Sequence, residues 1–245
     1  MEDLNKLLDI AKEAAILGGD FLANSIDEDL KILLNEGRDI KLQIDQDAEG
    51  LIKNYIKSKS LLPILAEESG ISGDPGDLFW VIDPLDGTAN FLRNIPICCV
   101  AIAVMHKSVP VLGVINDFNN NNLYFAHQDM PAFMNKDQIS VSNIKSKSGG
   151  TLVTGIPAKE TYTDAEFHEM ISEFQAWKKV RMIGSAAMAS VYVASGRADT
   201  YKENGIFLWD IAAGAAIVKA AGGNVVISNI KEDYRVDAKF SNASL

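Results

Sequence analysis

Residues 80–91 read Trp80-Val81-Ile82-Asp83-Pro84-Leu85-Asp86-Gly87-Thr88-Ala89-Asn90-Phe91, a string that joins a buried strand to a cluster of acid. Together with Leu78 and Phe79, its first half is a short apolar run of the kind that forms a strand covered on both faces. Such strands belong to layered α/β folds. The run delivers Asp83 at its carboxyl end, Pro84 is expected to turn the chain, and Asp86 returns to the same region with the Leu85 carbonyl between them. Two carboxylates and a carbonyl form an oxygen donor set suited to a hard cation such as Mg²⁺. Gly87 lets backbone approach a ligand, so the N–H groups of Gly87 and Thr88 are placed to cradle a phosphate. Either aspartate alone reads better as a cap for exposed N–H groups; the combined string points to a site.

The flanks extend the pattern. A second apolar run, residues 62–66, ends in Glu67-Glu68-Ser69-Gly70, so Glu67 emerges beside Asp83 if the two strands are neighbours. Upstream, Leu4, Leu7, Leu8, Ala11, Ala14 and Ala15 repeat at helical spacing over residues 4–22. A second helix is expected over 46–58, with Asp45 at its N-terminal edge as a candidate cap. Between them, Asn35-Glu36-Gly37-Arg38-Asp39 reads as a turn flanked by short strands at 30–34 and 40–44. Downstream, strand patterns at 97–105, 109–115 and 123–126 are separated by short polar turns, which implies antiparallel pairing.

From residue 151 strands and helices alternate: strand 151–154, helix 164–177, strand 179–183, a helix opened by Gly184-Ser185, strand 198–202, a helix from Asp210 to about 221, and strand 224–227. Gly222-Gly223 closes the last helix. Asp210 stands at that helix's N-terminus, where capping is the simplest role. Ala212, Ala213, Gly214 and Ala215 follow it and permit close packing. The expectation is one domain over 1–245, with two lobes, about 1–145 and 146–245.

With 33 acidic and 23 basic residues among 245, the formal charge is -10, which argues against a nucleic-acid polymer as partner. No apolar stretch approaches the roughly 20 residues that span a bilayer, and Met1-Glu2-Asp3 lacks the basic start of a signal peptide, so a cytoplasmic protein without membrane contact is expected. Adjacent Cys98 and Cys99 and three scattered histidines make no zinc site, so any metal is held by oxygen. Asp-Gly-Thr also occurs in haloacid-dehalogenase-type phosphatases, but the position of their nucleophilic aspartate, two before Asp86, is Pro84 here. An aspartyl-phosphate route lacks its nucleophile.

Taken together, Asp45, Glu67-Glu68, the Asp83–Phe91 string, Gly184-Ser185-Ala186-Ala187, Glu203 and Trp209-Asp210 resemble the inositol monophosphatase family, over nearly the whole chain. That resemblance implies an α/β (α+β) fold, an alternating αβαβα layered sandwich with mixed, largely antiparallel sheets, in a homodimer. It implies that Glu67, Asp83, the Leu85 carbonyl, Asp86 and Asp210 bind two or three Mg²⁺ ions. By the same resemblance Asp45, Glu67 and Thr88 are catalytic, Thr88 being hydrogen-bonded to Asp45. Asp86, Gly87, Thr88, Ser185, Ala186, Glu203 and Asp210 would contact substrate, Glu203 through its hydroxyls. The chain departs from the family in carrying Lys41-Leu42-Gln43-Ile44 where Val-Thr is common, next to the loop at 37–41. The expected reaction is hydrolysis of a small phosphorylated polyol or sugar by in-line attack of a metal-activated water. An inositol monophosphate is preferred, with fructose 1,6-bisphosphate and 3'-phosphoadenosine 5'-phosphate as alternatives. A silent binding or regulatory protein on the same fold is the reading from outside the enzymes.

Overall fold

In a computed structural model, residues 3–25, 32–36, 39–72, 74–157 and 161–245 are described. The first helix, α1 (Leu4–Asn24), starts at Asp3, whose carboxylate accepts from the Asn5 N–H at 3.0 Å. It packs beside α2 (Gln43–Lys57). Between them β1 (Ile32–Glu36) and β2 (Asp39–Leu42) pair antiparallel. Residues 30, 31, 37 and 38, on which part of the expected strands and turn falls, lie outside the described residues.

The first sheet has eight strands: β3 (Ile64–Ala66), β4 (Gly70–Ser72), β5 (Leu78–Asp86), β6 (Cys99–His106), β7 (Val109–Asp117), β8 (Asn122–His127), β9 (Phe133–Met134) and β10 (Asp137–Gln138). Their order is β10-β9-β8-β7-β6-β5-β3-β4, and only β3 with β5 is parallel. A four-residue helix, α3 (Thr88–Phe91), follows β5.

The second sheet runs β12-β11-β13-β15-β14, built from β11 (Thr151–Thr154), β12 (Lys179–Met182), β13 (Thr200–Phe207), β14 (Asn224–Ser228) and β15 (Arg235–Ser241). Here β11 lies parallel to both β12 and β13, and the remaining pairs are antiparallel. Three helices complete the chain: α4 (Asp164–Gln175), α5 (Ala186–Ala194) and α6 (Leu208–Ala220).

The alternation of β5 divides the interior in two. Trp80 and Ile82 join the cluster under α1 and α2, while Phe79 and Val81 face the cluster of α5 and α6. Those two helices touch both sheets, which explains why α6 is apolar on every side. The layers therefore read α1/α2, sheet, α5/α6, sheet, α4: the αβαβα order, with six helices and two mixed sheets.

Four expectations change. Pro84 does not turn the chain: β5 runs through it as a bulge, with three steps from Asp83 to Asp86 set against two from Ala101 to Cys99. Proline tolerates that position because a bulge frees one residue from the ladder. The second helix begins at Gln43 rather than 46, and the last at Leu208 rather than Asp210. Each acid thus sits in the first turn, reaching back to the N–H ahead of the helix instead of capping from outside. The strand expected at 198–202 is β13, which carries Glu203 within it.

Candidate active site

The bulge in β5 assembles the site. Asp83 shares the side of Phe79 and Val81, facing α6; three steps further, an unbulged strand would point Asp86 the opposite way. The extra residue returns it to Asp83's side, while Leu85 packs under α1 and α2. Asp210, in the first turn of α6, meets them there, and carboxylate oxygens of Asp83, Asp86 and Asp210 lie within 4.8 Å of one another. Asp83 is 1% exposed. Its Oδ1 accepts from the Leu85 N–H at 3.0 Å, which clamps the bulge.

Because β3 lies parallel to β5 with Ala66 opposite Ile82, Glu67 comes out next to Asp83. Its N–H donates to the Ile82 carbonyl at 3.2 Å, and its side chain hydrogen-bonds to that of Asp83. Buried Glu49 of α2 secures this turn by accepting from the Glu68 N–H at 2.7 Å. Glu49 attracted no notice in the sequence; its helical spacing from Asp45, on the same face, is the available signal.

Asp86 is held by the start of α5. Ser185, the N-cap, donates its hydroxyl to Asp86 Oδ2, and the Ala187 N–H donates to the same oxygen at 2.7 Å. Ser185 Oγ in turn accepts from Met188 N–H at 3.1 Å. Ser185 and Ala186 also line the cavity of about 270 Å³ beside Asp86, with Glu203 and Tyr201 opposite. Glu203 accepts from the Tyr201 hydroxyl at 3.0 Å, two residues along β13 and so on the same face. Gly155 makes room for it: a Cβ there would stand 2.6 Å from Glu203 Oε1.

Asn90, present in the opening string but without an assigned role, ties the two halves together. Its Nδ2 donates to the carbonyls of Ile97 at 2.7 Å and Ile183 at 2.8 Å, anchoring the loop that leads to Ser185. Gly87 takes φ +91, where a Cβ would approach the Ile97 carbonyl oxygen to 2.8 Å. Thr88 Oγ1 donates to the Leu85 carbonyl oxygen at 3.1 Å, the hydrogen bond found where the resemblance implies one to Asp45. Asp45 is buried, and its Oδ2 accepts from the Leu42 N–H at 2.8 Å. Side chains of the 35–41 loop lie outside the described residues.

Gathered carboxylates resist ionising together. Burial, then the charges of Glu67, Asp86 and Asp210, hold Asp83 well above the ordinary carboxylate range. Burial and the charges of Glu67 and Asp86 do the same to Asp210. Asp86 is pushed up to about 6 by burial, against the pull of the Ser185 hydroxyl and the first N–H groups of α5. Glu203 is raised to about 7, again mainly by burial. An all-oxygen donor set of this kind fits a hard divalent cation.

The model of the inositol monophosphatase family matches residues 3–240. A protein named Nus factor SuhB from Pasteurella multocida is 38% identical over 236 residues, covering 94% of this chain and 88% of its own. An inositol-1-monophosphatase from Synechocystis is 37% identical, covering 91% of this chain and 79% of its own. Among solved structures, the inositol monophosphatase from Anabaena (Nostoc) superimposes with a TM-score of 0.85 at 33% identity, over 98% of this chain and 92% of that one. Matched along nearly its full length by sequence and by fold, the chain belongs to the inositol monophosphatase family.

Proposed function

We propose that the protein is a Mg²⁺-dependent phosphatase that hydrolyses a small phosphate monoester, an inositol monophosphate first among them. The convergence of Asp83, Asp86 and Asp210 to within 4.8 Å supports this most directly, since carboxylates so close, two of them buried and the third half-buried, call for a cation. Glu67, Asp83, the Leu85 carbonyl, Asp86 and Asp210 would hold two or three Mg²⁺ ions. Once bound, these supply positive charge to offset the carboxylates and the phosphate and lower the pKa of a water molecule.

The chain's own groups do the rest. The N–H groups of Gly87 and Thr88 face the phosphate oxygens, and Glu203 accepts hydrogen bonds from substrate hydroxyls. Glu67, Asp45 and Thr88 orient the attacking water, a task Thr88 takes up by releasing the Leu85 carbonyl. With Pro84 in place of an aspartate, no side chain two residues before Asp86 accepts the phosphoryl group, so water attacks directly and in line. Ser185 and the Ala187 N–H keep Asp86 in position throughout.

Phosphate release with Mg²⁺ from inositol 1-phosphate, fructose 1,6-bisphosphate and 3'-phosphoadenosine 5'-phosphate tests the reading. Inositol 1-phosphate should turn over fastest. A second reading, a binding or regulatory role on this fold, is favoured by the Nus-factor name of a relative. It requires the wild type and Asp83→Asn to be equally inert on all three substrates.

We read the chain further as one domain of two lobes meeting near residue 145, in keeping with the break between the sheets from Gln138 to Thr151. A cytoplasmic homodimer fits the family and the two buried free cysteines, and no helix among the described residues is long and apolar enough to cross a membrane. Sedimentation would measure the assembly.

A further inference from the structure

A groove of about 260 Å³ separates α4 from the outer face of the second sheet and opens at Glu203; Thr154, Gly155 and Glu203 line both it and the cavity beside Asp86. The groove exists because α4 covers its sheet loosely. Among the described α-helices it alone has no buried residue. Leu152, Met170 and Phe174 give the groove apolar walls, and the carboxylates of Glu166 and Glu169 stand along it.

Among the described residues its one lysine is already engaged. Lys202 Nζ lies 2.7 Å from the Glu173 carboxylate, which Lys147 also approaches at 3.4 Å. Glu166 is turned to Thr163, whose N–H and hydroxyl both donate to its Oε2, so the polar groups left facing the groove among the described residues are mainly the acceptors Glu169 and, at the mouth, Glu203. Acceptors beside an apolar wall suit a sugar ring, whose hydroxyls donate while its C–H face rests on Met170 and Phe174. A second phosphate would bring two more negative charges to carboxylates that no free cation among the described lining residues offsets.

We propose that this groove receives the part of the substrate alcohol lying beyond Glu203, and that it selects a hydroxyl-rich extension without anionic groups, such as a second sugar ring, over a second phosphate. The proposal rests on the phosphatase reading and names the substrate class of that site: phosphate monoesters of extended neutral polyols.

The test compares kcat/KM, with Mg²⁺, for glycerol 2-phosphate, which ends short of the groove, trehalose 6-phosphate, whose second ring would enter it, and fructose 1,6-bisphosphate. Two variants alter the groove on a helix that buries nothing: Met170→Trp, which fills it, and Glu169→Lys, which changes its charge. Both should keep the wild-type circular dichroism. Met170→Trp should lower the trehalose 6-phosphate to glycerol 2-phosphate ratio about tenfold. Glu169→Lys should raise the fructose 1,6-bisphosphate to glycerol 2-phosphate ratio about fivefold.

If glycerol 2-phosphate is hydrolysed but both ratios stay within about twofold of wild type, or trehalose 6-phosphate is not hydrolysed at all, the groove proposal is overturned and the phosphatase reading stands. If the wild type releases phosphate from none of the three, the phosphatase reading falls and the groove proposal falls with it.

Discussion

Asn90 joins two loops that are far apart in sequence, through carbonyls of Ile97 and Ile183. Asn90→Ala strands both acceptors and loosens the loop that brings Ser185 to Asp86. A loss of about 1–3 kcal/mol in urea denaturation is expected, together with slower phosphate release. Gly155→Ala should behave differently. The three atoms nearest the new Cβ all belong to the end of the Glu203 side chain, the first at 2.6 Å, so the carboxylate can swing aside at a cost below about 1 kcal/mol. Stability would hold while KM for inositol 1-phosphate rises several-fold, which denaturation and steady-state kinetics would show separately. Glu67 and Asp83 were readable in the sequence because each terminates an apolar run, Asp45 and Asp210 because each opens a helix, and Asp86 through its spacing from Asp83, whereas Glu203, inside β13, was reached only through the family resemblance. Glu49, Asn90, Tyr201 and Gly155 were not given roles, because each acts through a residue distant in sequence or through space it leaves empty.

The close contact of α5 with α6 depends on Gly214, where a Cβ would stand 2.2 Å from Ser190 Cβ. Gly214→Ala should cost about 1–3 kcal/mol by overpacking. Ser190→Gly removes the opposing atom, so the double variant should recover at least about 1 kcal/mol of the loss expected from adding the single effects. Additive effects in that double-mutant cycle would mean that the helices do not meet there. Helices and buried strands were largely anticipated because their periodicities differ and their lengths exceed one turn or one pair. Strands β4, β9 and β10, of two or three residues, carry no periodicity to detect. β15 does alternate, with Val236, Ala238 and Phe240 buried, and was recoverable from that pattern. The bulge at Pro84 was not: a proline after a strand signals turn and bulge alike, and only pairing with β6 separates them.

Taken over the whole molecule, the site stores electrostatic cost where two sheets and α6 meet. Asp86 at about 6, Glu203 at about 7, and Asp83 and Asp210, also raised, bind protons in the folded chain that the unfolded chain has already released. The unfolded state then holds fewer protons, so without divalent cations their effect is to lower stability as pH rises from about 4 through 7. Mg²⁺ should displace those protons and stabilise the protein more at pH 8 than at pH 5, visible as Tm in chelator and in Mg²⁺ at both pH values. The layered architecture was accessible from the alternation of strands and helices, whereas the placement of α5 and α6 between the sheets follows from contacts made only on folding. The central claim, that these carboxylates serve a cation-dependent phosphatase, is tested most directly by phosphate release from inositol 1-phosphate. Wild type and Asp83→Asn would be compared in Mg²⁺ and in excess chelator. The account predicts turnover by wild type in Mg²⁺, its loss in chelator, and a fall of more than about 100-fold in Asp83→Asn. Turnover that survives chelator, or is untouched by Asp83→Asn, would contradict it.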